Sequence, residues 1–331
     1  MTPGRSAASG LAATPLPAAQ RGLARRLTLD PAMVDFAVRG FRTDRPESRL
    51  VLERHGTAFI DGFNAAVTGP LAEIHDRLAG QPELERGFAY EGAGMAYALL
   101  DLLTLSRGRR LASLLDGPGD GYVHLIHVGA GWAQAKLRYP SWRGLHRLDP
   151  LLRWLAADGW GFFAGFFHTE RTVRSRSGTR RWTAPAARIR YQGLGRSLWF
   201  VESTDAAAIA DRIAGFPPEH HGSLWSGVAL AAGYAGGVSD EELRLLADLG
   251  ADHRWHLAQG AAFAAAARHR AGYVPEYTHR ATEVLAGTTV DEAARWTAAA
   301  AAGLDQGGGA DVRRYQEWRR RIREYARDAY G

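Results

Sequence analysis

Apolar and small residues recur at helical spacing along most of this chain, and alternating strand patterns do not. The first amphipathic stretch runs from Pro31 to Arg42 and ends in the basic turn Gly40-Phe41-Arg42-Thr43. Thr57 to Val67 and Pro70 to Ala79 read as two helices, the second with Leu71, Ile74 and Leu78 on one face. Gly87 to Leu100 is nearly uncharged and rich in Gly and Ala, the pattern of a helix with close neighbours on several sides. A second small-residue helix is predicted over Val128 to Leu137, and another helix over Leu148 to Ala157. The aromatic, glycine-rich run Asp158 to His168 follows, then a polar stretch, Arg171 to Arg190, that predicts an exposed loop or a short hairpin. Further helices are expected at Asp205–Ala214, Leu224–Gly233, Gln259–Ala267, after Thr278, after Val290 and over Asp311–Tyr325, with Gly307-Gly308-Gly309 as a joint before the last. The predicted fold class is all-α.

Part of the pattern is written twice. Residues 72–98 match residues 207–233 without gaps at 10 of 27 positions, including Gly80 with Gly215, Pro82 with Pro217 and Gly92 with Gly227. The second small-residue helices, at Val128 and Gln259, keep the same order at an offset of about 131. This is the signature of an internal duplication. The expected organisation is a leader over 1–27, a first repeat half over 28–168, a polar connector over 169–190, a second half over 191–306 and an Arg-rich C-terminal helix over 310–331.

Composition narrows the classes. The hydrophobic fraction of 46% with 23% charged residues is that of a globular chain. The net charge of +6 does not point to nucleic acid: every basic residue but Lys136 is Arg, the arginines are scattered, and no aromatic-interleaved stripe is present. Cysteine is absent, so disulfides, thiolate metal sites and a Cys nucleophile are excluded. No signal-peptide core and no apolar run long enough to span a membrane is seen, and a cytoplasmic location fits.

Four ordered motifs carry a family resemblance: Phe88-Ala89-Tyr90-Glu91-Gly92-Ala93-Gly94-Met95, His127-Val128-Gly129-Ala130-Gly131-Trp132-Ala133, Gln192 to Phe200, and Leu224-Trp225-Ser226-Gly227. Over roughly residues 30–325 the chain resembles the UnbL-type proteins, a family of unknown function found beside enediyne polyketide synthases. The resemblance implies a role in maturing a linear polyene intermediate towards an enediyne core. It carries over no catalytic residue.

Candidate chemistry is read by residue type. Glu91 is the single charge at the start of a small-residue helix, either a cap of the first turn or a general acid or base. Asp158 is a turn-former or a polar point against the aromatic wall of Phe162, Phe163, Phe166 and Phe167. Arg196, in a Gly-rich turn, is a solvated arginine or a ligand for an acidic or carbonyl group. His124 and His127, spaced i, i+3, could hold a metal with a carboxylate such as Glu91 or Asp158, or could be hydrogen-bonded helix-terminus histidines. His253 and His256 repeat that spacing, and His220-His221 is expected at the surface. Ser226 lacks a nucleophile elbow.

The expected catalytic set is therefore Glu91, His127, Asp158 and Arg196, with Tyr90, Trp132, Phe163, Phe166, Trp199 and Trp225 contacting substrate in an apolar cavity between the halves. No flavin, haem, nicotinamide or radical-SAM motif is recognised. The expected partners are a hydrophobic polyene and other pathway proteins. A non-catalytic helical scaffold that holds the polyene or joins pathway proteins is the alternative.

Overall fold

A computed structural model of the chain describes residues 26–104, 106–139, 148–180, 182, 185–304 and 311–330. Among these residues every regular element is helical, as the apolar spacing predicts. Most of the leader and the Gly307–Gly309 joint lie outside the described residues. Among the described residues no helix is long and apolar enough to cross a membrane.

Seven long helices form the frame: α1 (Pro46–Thr68), α2 (Glu83–Leu103), α3 (Val123–Leu137), α4 (Leu155–Phe167), α5 (Ala187–Val201), α6 (Pro218–Ala235) and α7 (Arg254–Arg270). Each packs on the next in chain order. Between α4 and α5 contacts advance together, Asp158 with Gln192, Phe162 with Arg196 and Phe166 with Phe200, so these two helices run in the same direction. Connections of 14–19 residues, built from short helical pieces, join each helix to the next. Three helices, α8 (Glu276–Ala286), α9 (Val290–Ala301) and α10 (Val312–Tyr330), pack around α7.

Glycine sets the spacing of the seams. In α2, α3, α4 and α5 a Gly-x-Gly lies mid-helix: Gly92 and Gly94, Gly129 and Gly131, Gly159 and Gly161, Gly193 and Gly195. The first glycine of each pair lies against a backbone carbonyl of the preceding helix, and the second against one of the following helix. Thus Gly129 meets the Glu91 carbonyl and Gly159 that of Val128, while Gly131 meets Ala156 and Gly161 meets Arg190. A Cβ at any of these would overlap the facing backbone. Two residues span about 200° of a helix, which puts the pair on opposite sides. An interior glycine costs about 1 kcal/mol against alanine, which the close backbone packing offsets.

The array closes on itself: Leu84, at the start of α2, meets Arg268, near the end of α7, which also binds the carbonyl of Tyr234 near the end of α6. The array also curls, because His55 of α1 donates from Nε2 to the Ala235 carbonyl of α6 at 2.9 Å.

Several local expectations are corrected. Pro31–Arg42 is two separate turns, Pro31–Val34 and Phe36–Arg39, because Asp30 and Asp35 each cap a fresh start. The helix expected from Thr57 begins at Pro46, a residue suited to a first turn. The region 171–190 is neither an open loop nor a hairpin: Glu170–Arg174 is a π-helical turn, Ser177–Thr179 a 3-10 turn, and α5 has begun by Ala187. Glu91 is in the third turn of α2, not the first, since that helix begins at Glu83 after Pro82, so it caps nothing. Asp158 and Arg196 are helical too, in α4 and α5, and neither forms a turn. His220 is half-buried, stacked on Tyr191 at 3.8 Å between ring centres.

Candidate functional site

The residue just before the first glycine of each seam recurs at one level of the array. In α2 and α4–α7 it is polar: Glu91, Asp158, Gln192, Ser226 and Gln259, each buried. In α3 it is Val128. The polar members are linked. Gln192 Nε2 donates to Asp158 Oδ2 at 2.9 Å, Gln259 Nε2 donates to Gln192 Oε1 at 3.3 Å, and Ser226 Oγ donates to the same oxygen at 3.4 Å. Arg319 Nε and Arg323 of α10 donate to Gln259 Oε1 at 3.3 and 3.2 Å. A polar spine thus crosses the interior from α4 to α10.

Arg196 ties Glu91 to this spine. It lies one turn beyond Gln192, on the same face of α5. Its Nη1 donates to Asp158 Oδ1 at 2.5 Å, while Nη2 stands 3.8 Å from Glu91 Oε1. The guanidinium also sits 5.1 Å from the Phe162 ring centre. The indole N–H of Trp132 faces the Glu91 carboxyl, but the two make no hydrogen bond of good geometry, and neither Glu91 Oε1 nor Trp132 Nε1 has another among the described residues. Burial pushes the Glu91 carboxyl up to about 7; Arg196 opposes that shift, Asp158 adds to it, and the Trp132 N–H, as a donor, also opposes it. Burial would lower Arg196, but the carboxylates of Asp158 and Glu91 more than reverse this and hold it raised. A carboxyl that titrates near neutrality in an apolar enclosure can both give and take a proton.

The enclosure is a cavity with about 50 Å³ of free volume, lined by all of α1–α6. Phe59, Phe88, Trp132, Phe162, Phe166 and Phe200 make its aromatic wall, and Glu91, Arg196, His55 and Tyr234 are its polar points. Trp132 is the hub, 4.4 Å from Phe59 and 5.0 Å from Phe162 between ring centres. Leu29 and Met33 cover one side. The same Leu29, Met33, Phe59, Trp132 and Phe167 also border a second crevice of about 350 Å³ that reaches Lys136, Arg138 and His168.

Of the expected residues, Glu91, Asp158 and Arg196 come together, and Trp132 and Phe166 line the cavity, with Phe163 in the second crevice. The others do not join them. His127 donates from Nδ1 to the Val123 carbonyl at 2.7 Å and accepts at Nε2 from the Asp149 backbone at 3.3 Å, so both ring nitrogens are engaged. Burial lowers its pKa to about 4. Among the described residues no three potential metal ligands cluster, at His124 and His127 or elsewhere. Tyr90 stacks on Tyr122 and hydrogen-bonds His75 at 3.0 Å, Trp199 donates to the Gly236 carbonyl at 2.9 Å, and Trp225 is packed against the Gly250 backbone.

The sequence reading missed His55, Tyr234, Gln192 and Gln259. For the glutamines a signal existed: a polar residue directly before glycine, inside an otherwise apolar helix. His55 and Tyr234 carry no such mark and reach the site only through the curl that brings α1 to α6.

Fold and site together describe an all-helical protein whose glycine-spaced array encloses a buried carboxyl–guanidinium group. The chain matches the family described as "Protein of unknown function (DUF1702)" over residues 20–326, and it belongs to that family. No curated protein and no solved structure matches it.

Proposed function

We propose that this protein takes a linear, unsaturated polyketide-derived chain into its aromatic cavity and acts on it by acid–base chemistry at Glu91, in the maturation of an enediyne core. The observation that carries the reading is a Glu91 oxygen without a well-formed hydrogen bond, 3.8 Å from Arg196, on the wall of a largely aromatic enclosure. Buried carboxyl oxygens ordinarily have a partner, and a missing one at a cavity wall marks where a ligand group would sit. Glu91 is the proton donor or acceptor. Arg196 sets its charge, and Asp158 with Gln192 holds Arg196. The sequence resemblance to UnbL-type proteins supplies the pathway, and flat conjugated chains suit stacked aromatic walls. The likeness of residues 72–98 to 207–233 fits a duplicated origin, since it pairs Glu91 with Ser226 at equal levels of the array. A cytoplasmic location accompanies this reading.

The test is incubation of the purified protein with the polyene made by an enediyne synthase and its thioesterase, followed by absorbance and mass spectrometry. A shifted chromophore or a new mass that disappears with Glu91→Gln supports the reading. Saturable binding with the polyene recovered unchanged makes the protein a carrier, and no binding overturns the chamber itself.

A further inference from the structure

The second crevice has a polar end unlike the first. Its inner wall is apolar, from Phe59, Met95, Trp132, Phe163 and Phe167, and its outer end is bounded by Lys136, Arg138 and His168. Directly beside it, sharing Phe167 and His168, is a shallower depression lined by Arg39, Arg171 and Arg174. Among the described residues the one acid lining either space is Glu170, which is exposed and paired with Arg174 at 3.2 Å. Cations so close raise each other's electrostatic energy: His168 has its pKa lowered by burial and then by Arg171, Arg138, Arg39 and Lys136.

The fold fixes where three of these cations lie. Lys136 and Arg138 end α3, where Arg138 is left-handed at φ 52°, a conformation glycine adopts more easily. Arg39 stands over the Phe167 ring at 4.9 Å and donates to the Phe166 carbonyl at 2.8 Å, with its Nε buried and unpartnered. A narrow aromatic slot opening on a cationic rim is complementary to one kind of molecule, a long apolar chain ending in an anion.

We infer that this crevice binds the carboxylate end of a long-chain unsaturated acid, with the chain directed past Trp132 towards Glu91. The inference rests on the ligand-chamber reading and adds the head group and the orientation. Lys136 and Arg138 contact the carboxylate, and Arg39 and Arg171 strengthen the field around it.

A conjugated tetraenoic fatty acid, whose fluorescence rises on transfer from water to an apolar site, is the probe, and its methyl ester is the uncharged control. The acid is expected to bind saturably, at least about tenfold more tightly than the ester, as one charge-assisted contact would give. Added salt weakens the acid and leaves the ester unchanged. The double variant Lys136→Gln, Arg138→Gln brings the acid down to the ester's affinity, and retained ester binding shows that the variant is folded. Lys136 is the sole lysine of the chain, so its protection from amine acylation, read by peptide mass spectrometry, reports occupancy of the rim directly. Equal affinity for acid and ester, or no protection of Lys136, overturns the head-group inference while the chamber stands. Failure of both probes to bind overturns the inference and the chamber together.

Discussion

Arg196 lies between two buried carboxyl groups but hydrogen-bonds only one, at 2.5 Å from Asp158 against 3.8 Å from Glu91. Burial is the main cause that holds Glu91 near neutrality, and the division adds to it: Asp158 takes the charge-assisted contact, and its like charge further discourages ionisation of Glu91. Asp158→Asn removes that like charge and leaves Glu91 as the remaining carboxylate beside Arg196. The Glu91 carboxyl should then titrate lower than in the parent protein, read as a shift of its NMR carboxyl signal assigned by comparison with Glu91→Gln. An unchanged titration would remove Asp158 from the account. Breaking a buried pair from one side should also lower stability by about 3 kcal/mol.

The glycine seams make a prediction opposite in sign to helix propensity. Replacing a mid-helix glycine by alanine ordinarily stabilises by about 1 kcal/mol. At Gly129 and Gly193 the new Cβ would overlap the carbonyls of Glu91 and Asp158, so both helices must move apart. Gly129→Ala and Gly193→Ala should each destabilise by about 2 kcal/mol or more in denaturant titrations. Gly80→Ala is the control: its φ is −68° and the nearest atom to an added Cβ is at 3.4 Å, so the change should be neutral or favourable.

The same glycines explain what the sequence showed and what it hid. Helical class was legible because apolar spacing survives along α1, α2, α6 and α7. The Gly/Ala content of α2 and α3 correctly signalled close packing. In α4 and α5, however, Gly159, Gly161, Gly193 and Gly195 suggested turns at Asp158 and Arg196, because glycine breaks a helix unless a neighbouring backbone occupies the space it leaves. That neighbour is distant in the chain and invisible to local pattern. Glu91, Asp158 and Arg196 were each singled out by charge in an apolar setting, yet their meeting depends on how α2, α4 and α5 pack together. His127 was singled out by spacing alone, and its ring is spent on Val123 and Asp149.

Arg268 joins non-neighbouring parts of the array and should be needed for its closure. Its buried guanidinium donates to the carbonyls of Leu84 and Tyr234, at 3.0 and 2.6 Å, and to Tyr277 Oη at 2.7 Å, 4.0 Å above the Tyr234 ring. Arg268→Met keeps much of the volume and removes all three bonds, leaving Tyr277 Oη and the Tyr234 carbonyl only their mutual bond at 3.0 Å. A loss of about 3 kcal/mol is expected, with faster amide exchange at the start of α2. Arg270→Met, removing an exposed pair with Asp120, should change stability by under ~1 kcal/mol. Equal effects of the two would mean that Arg268 is not a closing contact.

Stability should depend on pH through opposing groups. His55 and His127, lowered by burial to about 4 from 6.5, and His124 and His256, lowered by burial to about 3, are neutral in the folded state. Their contribution is present above pH 6.5 and is lost as pH falls, at most about 3 kcal/mol each by pH 4. Glu91, raised by burial from 4.5 to about 7, is protonated in the folded state over that interval. Its contribution, also about 3 kcal/mol, is present below pH 4.5 and is lost as pH rises through 7. Between pH 4.5 and 6.5 four histidines outweigh one carboxyl, so stability rises with pH at a net slope near three protons. Towards pH 7 the unfolded histidines lose their protons while Glu91 loses its own, and the curve flattens. Glu91→Gln steepens the rise towards four protons, whereas a histidine variant makes it shallower. Denaturant titrations across pH 4.5–7.5 read this slope, and a slope unchanged by Glu91→Gln would show that Glu91 is not protonated in the folded protein.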